Sequence, residues 1–159
     1  MNLVDPDVAV ITTVDLDHQE WLGTDREAIG LEKAGIMRPW RPVVLGERDP
    51  PASVLRRAYA IGASAIRAGC DYLYGAAGDG WTWREPGCEL SLPMPALAAP
   101  AQLDNAAAAI AALRALPVDL PVRAYADGVA AARVAGRLQR IEREGVELVL
   151  DVGHNPQAL

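Results

Sequence analysis

The order of short apolar runs and amphipathic stretches predicts an α/β fold with a mostly parallel sheet. Three observations carry this reading. Val8-Ala9-Val10-Ile11, Pro42–Gly46 and Asp71–Tyr74 are short, strand-like runs bounded by polar or turn residues. The two intervals between them have helical periodicity. Such a β–α–β–α–β order joins parallel strands through crossover helices.

Residues 8–14 form the first predicted strand, which opens into a loop holding Asp15, Asp17 and His18, the first of two histidines. Thr24-x-x-Glu27 has the form of a capping box and starts a helix at about Asp25. On that helix Ile29, Lys33 and Ile36 share one stripe. A lysine there either snorkels to water or points into a site. Pro42–Gly46 is the second strand. Pro50-Pro51 opens a helix expected from Ala52 to Arg67, with Val54, Leu55, Ala58, Ile61, Ala65 and Ile66 on its apolar side. Asp71–Tyr74 is the third strand.

The pattern then changes. Turns at Gly78-Asp79-Gly80 and Pro86-Gly87 separate Tyr72–Tyr74, Trp81–Trp83 and Cys88–Leu92, which predicts a small antiparallel ribbon. Pro93–Pro100 is proline-punctuated and reads as extended loop. Helices are expected over Gln102–Leu116, rich in alanine, and Val122–Val134. Gly136 breaks the pattern before two strand-like runs, Leu138–Arg143 and Glu147–Leu150, joined by Glu144-Gly145. The shift at Gly136 is the one candidate domain boundary, dividing the chain into 1–135 and 136–159. The second part is too short for a domain, which suggests an incomplete unit and a chain that is a fragment.

Composition narrows the function classes. With 51% apolar and 23% charged residues the chain is globular rather than disordered. A net charge of −6 and the lack of a basic run give no indication of nucleic acid or an anionic membrane surface as partner. No apolar stretch approaches the roughly 20 residues that span a bilayer, and the start lacks signal-peptide character. Cys70 and Cys88 have no metal-ligand spacing and read as buried free thiols of a cytoplasmic protein.

Three places could carry chemistry. Asp17-His18 with Lys33 lies after a strand, where parallel-sheet proteins place their sites. A lysine beside a cation is repelled, and one solution is its conversion by carbon dioxide to a carbamate, an oxygen donor suited to magnesium. Gln102-x-x-Asn105 opens a helix, where Asp104 or Asn105 either caps the first turn or offers a side chain to a nucleotide. Arg137 with Asp151-Val152-Gly153-His154-Asn155-Pro156 pairs a guanidinium with acceptors and an imidazole at a strand end. Arg137 is a solvated charge or a bidentate phosphate ligand, and Asp151 could accept from a ribose.

Together these segments resemble the folylpolyglutamate synthase/dihydrofolate synthase family of the Mur ligase superfamily. Ile11–Ile36 matches I-T-x-x-x-L-D-H-x-x-x-L-G followed by R-E-x-I-x-x-E-K-A-G-I, and Asn105, Gly136-Arg137 and Asp151–Pro156 match in the family's order. Glu32–Ile36 (EKAGI) separates the folate enzymes from the cell-wall ligases. The resemblance implies residues 1–135 as the second half of a central ATP-binding domain, and 136–159 as the first strands of a Rossmann-like C-terminal, glutamate-ligase domain. It implies ATP-dependent attachment of L-glutamate to dihydropteroate or tetrahydrofolate through an acyl phosphate, with magnesium, in a cytoplasmic enzyme whose parent form is a monomer. His18 matches a magnesium ligand, and Lys33 a carbamylated, metal-bridging lysine. Asn105, Arg137 and Asp151 match ATP contacts; His154 matches a catalytic position at the glutamate region.

The family's Gly-rich phosphate loop and an acidic metal ligand have no counterpart in these 159 residues. The chain alone is therefore expected to be inactive, with a bare strand edge and exposed apolar surface. The competing readings are a non-catalytic remnant that binds a partner, and another Mur-type amino-acid ligase, which the EKAGI run disfavours.

Overall fold

The computed structural model describes residues 3–15, 25–96, 99 and 101–152. Strand β1 (Ala9–Ile11) leads to helix α1 (Arg26–Lys33) and a 3-10 turn (Ala34–Ile36). Strand β2 (Pro42–Leu45), helix α2 (Ala52–Ala60) and strand β3 (Ser64–Arg67) follow. The three strands form a parallel sheet in the order β1-β2-β3, with Val43 opposite both Ala9 and Ala65. An antiparallel sheet comprises β4 (Leu73–Ala77), β5 (Gly80–Glu85) and β6 (Cys88–Pro93). Helices α3 (Ala101–Ala115) and α4 (Val122–Ala131) precede a hairpin of β7 (Gln139–Arg143) and β8 (Val146–Leu150).

Strand β2 is the centre of the core because its pleat buries both faces. Val43 and Leu45 point into one cluster with Ile29 of α1 and Val54 and Ala58 of α2. Val44 points to the other side, among Trp81 and Trp83 of β5, Leu90 of β6 and Ala107, Ala108 and Ala111 of α3. A strand buried on both faces needs a continuous apolar run rather than alternation, as Pro-Val-Val-Leu supplies. Gly46 ends the strand beneath α3; a Cβ there would stand 3.2 Å from the Ala108 Cβ.

The helix expected over 52–67 ends at Ala60, and Ala65 and Ile66 lie in β3. The stop is a Schellman motif: Ala63 N–H donates to the Ala58 carbonyl (2.9 Å) and Gly62 N–H to the Tyr59 carbonyl (3.1 Å), with Gly62 at φ 66°. The third parallel strand is accordingly 64–67, and the run expected as that strand opens the antiparallel sheet at Leu73. Strand β1 is shorter than 8–14, and the helix expected to reach Val134 ends at Ala131. Both expected ribbon turns occur, at Gly78-Asp79 and Pro86-Gly87, and so does the Glu144-Gly145 turn, with positive φ at both of its residues.

The capping expectation for α1 also needs correction. Asp25 is the cap, its carboxylate accepting from Glu27 N–H at 3.0 Å; Thr24 lies outside the described residues. Glu27 caps the next helix instead, accepting from Ala52 N–H (2.9 Å) and Ser53 N–H (2.7 Å) at the start of α2. The thiols are not buried: Cys70 is exposed in the turn after β3, and Cys88 is half-buried.

Candidate functional site

The carboxyl ends of β1 and β2 are held together by one ion pair. Arg26, the first residue of α1, donates from Nε to the Val14 carbonyl (2.9 Å) and from Nη2 to Glu47 Oε1 (2.5 Å) and the Asp49 carbonyl (2.7 Å). Glu47 Oε2 accepts from Val14 N–H at 3.4 Å. A half-buried guanidinium bonded to a carboxylate and two carbonyls is a rigid bracket, far better fixed than a solvated pair. It fixes the end of β1 against the start of α1 at the sheet edge where α/β proteins bind ligands. Neither Arg26 nor Glu47 was singled out by spacing. The available signal was a charged residue directly after the cap and another directly after the β2 glycine.

Lys33 is the last residue of α1, half-buried, and its amine has no partner among the described residues. It lies roughly 10 Å along the helix from Arg26 at 1.5 Å per residue. Asp17, His18, His154 and Asn155 lie outside the described residues. Among the described residues no group of three or more His, Cys, Asp or Glu is arranged to hold a metal ion.

Asn105 is exposed at the start of the second turn of α3, its Nδ2 donating to Gln102 Oε1 at 3.5 Å. Neither Asp104 nor Asn105 caps the helix, since both lie inside it. Asp104 accepts instead from the Tyr74 hydroxyl at 2.7 Å. Burial, and then the bond to Asp104, push the Tyr74 hydroxyl up to about 12. The Arg48 guanidinium lies 5.4 Å from the centre of the Tyr74 ring, a cation–π distance.

Arg137 and Asp151 are brought together at the base of the β7–β8 hairpin. Asp151 Oδ2 accepts from Leu138 N–H at 2.8 Å, and Val152 N–H donates to the Gly136 carbonyl at 2.8 Å. Gly136 is required there, with φ at 68° and Val152 packed 3.2 Å from where a Cβ would stand. Arg137 lines a cavity of about 490 Å³ with Arg133, Arg140, Leu138, Gln139 and Ala96. Two of its three arginines are engaged: Arg133 donates to the Ala130 and Ala132 carbonyls, and Arg140 pairs with Glu147 at 2.7 Å. Arg137 thus lines, with no partner for its guanidinium among the described residues, a cavity large enough for a small anionic ligand.

No family model matches the chain. It is similar to the dihydrofolate synthase/folylpolyglutamate synthase of Escherichia coli, with 42% identity over 158 residues, covering 99% of this chain and 36% of the relative. The enzyme of that name from Haemophilus influenzae is 34% identical over 99% of this chain and 39% of its own length. Among solved structures, E. coli FolC in complex with DHPP and ADP has a TM-score of 0.88 at 42% identity, over 99% of this chain and 37% of that one. A bifunctional folylpolyglutamate synthase/dihydrofolate synthase with Mn, AMPPNP and L-glutamate bound has a TM-score of 0.87 at 41% identity, over 99% and 37%. The expected α/β architecture, a parallel sheet with an antiparallel ribbon, is thus that of these enzymes. The chain spans little more than a third of the length of the curated relatives it matches. By sequence and by fold, the chain is similar to dihydrofolate synthase/folylpolyglutamate synthase over that part of the enzyme.

Proposed function

We propose that this chain forms part of an ATP-dependent ligase that adds L-glutamate to dihydropteroate or to folates through an acyl phosphate. The observation that carries the reading on this chain's own residues is Arg137: among the described residues it is the arginine without a partner in a three-arginine cavity. Its neighbour across the hairpin base, Asp151, is fixed by the Leu138 bond. The relatives crystallised with ADP, or with AMPPNP, Mn and L-glutamate, support the same ligand chemistry.

In this reading Arg137 binds a nucleotide phosphate with two parallel N–H donors, which fixes orientation as well as charge. Asp151 keeps one oxygen for a ribose or for a group beside the nucleotide. Asn105 offers its amide from the start of the second turn of α3, near the positive end of the helix. Lys33, half-buried and unpartnered among the described residues, fits a carbamate that holds a divalent cation together with His18. Such a cation neutralises phosphate charge. His154 is read, from the family resemblance alone, as a catalytic residue of the glutamate region. Residues 1–135 are read as part of the ATP-binding domain and 136–159 as the beginning of the glutamate-ligase domain, with the Gly136 turn between them. The compartment is the cytoplasm and the complete enzyme a monomer.

The reading is tested in the full-length ligase. Lys33→Ala abolishes most ATP-dependent glutamate addition, and short carboxylic acids restore part of it by standing in for the carbamate. Arg137→Ala raises the KM for ATP more than it lowers kcat. Full turnover without Lys33 refutes the carbamate, and an unchanged ATP dependence in Arg137→Ala refutes the phosphate role. The 159-residue polypeptide alone, which contains no Gly-rich phosphate loop, is expected to be inactive. If the natural gene product proved to have an intact mass of 16.9 kDa, the ligase reading would fall and a binding role would replace it.

A further inference from the structure

Helix α3 poses a packing problem that its hydrophobic residues do not solve. Eight of its fifteen residues are alanine, and they occupy its buried side (Ala107, Ala108, Ala111) as well as its exposed side (Ala101, Ala109). Only Ile110 and the half-buried Leu103 add larger side chains to the buried side, so burial biases the helix rotation without fixing it closely. Asn105 is on this helix, so the rotation decides where its amide is presented.

Two hydrogen bonds from the antiparallel sheet remove that freedom. Tyr74 on β4 donates its hydroxyl to Asp104 Oδ1 at 2.7 Å, and Trp83 on β5 donates Nε1–H to the Ala107 carbonyl at 3.2 Å. Tyr74 and Trp83 are direct cross-strand partners, and their acceptors lie three residues apart on the helix. The cross-strand spacing of about 5 Å matches the rise of three helical residues, about 4.5 Å. Both donors are held in turn: Tyr72 stacks on the Tyr74 ring (6.0 Å) and on Trp83 (5.8 Å). Trp81 meets the Tyr74 ring edge-on at 6.4 Å. Arg48, on the loop after β2, lies over Tyr74 and ties the pair to the carboxyl edge of the parallel sheet.

We infer that Tyr74, through Asp104, is a positioning residue that sets the rotation of the first turn of α3 and thereby the direction of the Asn105 amide. The bearing on nucleotide binding rests on the reading of Asn105 proposed above. The bond itself does not. Removing the Tyr74 hydroxyl leaves the exposed Asp104 carboxylate solvated by water, so the fold persists while one of two pins is lost.

Amide hydrogen exchange of the 159-residue protein, read by NMR, tests the pin. In Tyr74→Phe, exchange at the Asn105 and Ala106 amides speeds roughly five- to tenfold, while Ala111 and Ala112, beyond the Trp83 bond, keep their wild-type rates. Asp104→Ala gives the same pattern, the double variant adds nothing, and Asp104→Asn, which keeps an acceptor oxygen, restores slow exchange. Unchanged rates at Asn105 in Tyr74→Phe, or acceleration spread evenly from 105 to 112, would overturn the inference. ADP with magnesium, titrated into the full-length ligase, separates the pin from its use. Tyr74→Phe weakens ADP several-fold in the wild-type background and not at all in Asn105→Ala. If Asn105→Ala leaves ADP affinity unchanged, the nucleotide role of Asn105 fails and the exchange result still decides the pin.

Discussion

Gly30→Ala sets two effects of opposite sign against each other, and the structure decides between them. Gly30 is interior to α1, where alanine is favoured over glycine by about 1 kcal/mol. Propensity alone therefore predicts a more stable protein. But Gly30 is where α1 meets the start of α2. A Cβ would stand 2.9 Å from Pro51 Cβ and 3.0 Å from both Pro51 Cγ and Ser53 Oγ. Carbon atoms pack best near 3.5–4.0 Å, so α1 must withdraw by roughly 0.6 Å or more. Neither neighbour can yield cheaply. Pro51 is a fully buried ring at the cap position of α2, and the Ser53 hydroxyl donates to the Glu27 carbonyl at 2.7 Å. Overpacking of this kind costs about 1–3 kcal/mol. After subtracting the gain in propensity, the net loss expected is about 0–2 kcal/mol, a fall in Tm of up to about 8 °C for a chain of this length. Urea unfolding followed by circular dichroism measures it, and Pro51→Ala in the same background recovers part of the loss. A Gly30→Ala protein more stable than wild type by about 1 kcal/mol would refute the described contact between α1 and α2.

Glu27 predicts a pH dependence. Hydrogen bonds from the Ser53 and Ala52 amides hold its carboxyl below the usual glutamate value. A depressed folded value means that its stabilising contribution is present above the unfolded value and lost as pH falls through the folded one. The stability difference between wild type and Glu27→Gln should be level at neutral pH and shrink below about pH 4; a difference that stays constant from pH 7 to 3 would contradict it. Gly80→Ala places a Cβ 2.3 Å from the Leu92 carbonyl oxygen, between two paired strands. A loss of at least about 3 kcal/mol and of the near-UV signal of Trp81 and Trp83 is expected. On the hairpin, register puts Ile141, Val146, Leu148 and Leu150 on one exposed face. The 159-residue protein should therefore bind an apolar dye and associate with rising concentration in sedimentation, and Leu148→Lys should weaken both. Monomeric behaviour without dye binding would count against that face.

Legibility in the sequence followed the range of the forces involved. Turns were legible because their chemistry is local: Gly78-Asp79, Pro86-Gly87 and Glu144-Gly145 bend the chain through residues that tolerate the required backbone. The end of α2 was also written locally, in Gly62 at the C′ position, but Ala65 and Ile66 continue the helical period and masked it. Nothing in Ser64–Arg67 by itself prefers a strand. Pairing with β2, Val44 opposite Ile66, makes it one. Glu27 shows the same limit. Three residues after Thr24 it reads as the second half of a capping box, yet its carboxylate reaches 25 residues ahead to the amides of α2.

The sequence by itself determined the fold class, the ribbon, the alanine-rich helix and the family resemblance, because periodicity, turn residues and motifs are properties of neighbours along the chain. It also determined which residue types were available for a site: Lys33, Asn105, Arg137 and Asp151. Tertiary structure decided which of these stand near one another and which charges remain free. Arg133, Arg137 and Arg140 are equivalent as letters, and only the fold engages the first with helix carbonyls and the third with Glu147. It likewise decided that the alanine-rich helix would be held by Tyr74 and Trp83, whose bonds to Asp104 and Ala107 span 30 and 24 residues. Contacts at that separation depend on the register of strands and the seating of helices, which no local pattern encodes.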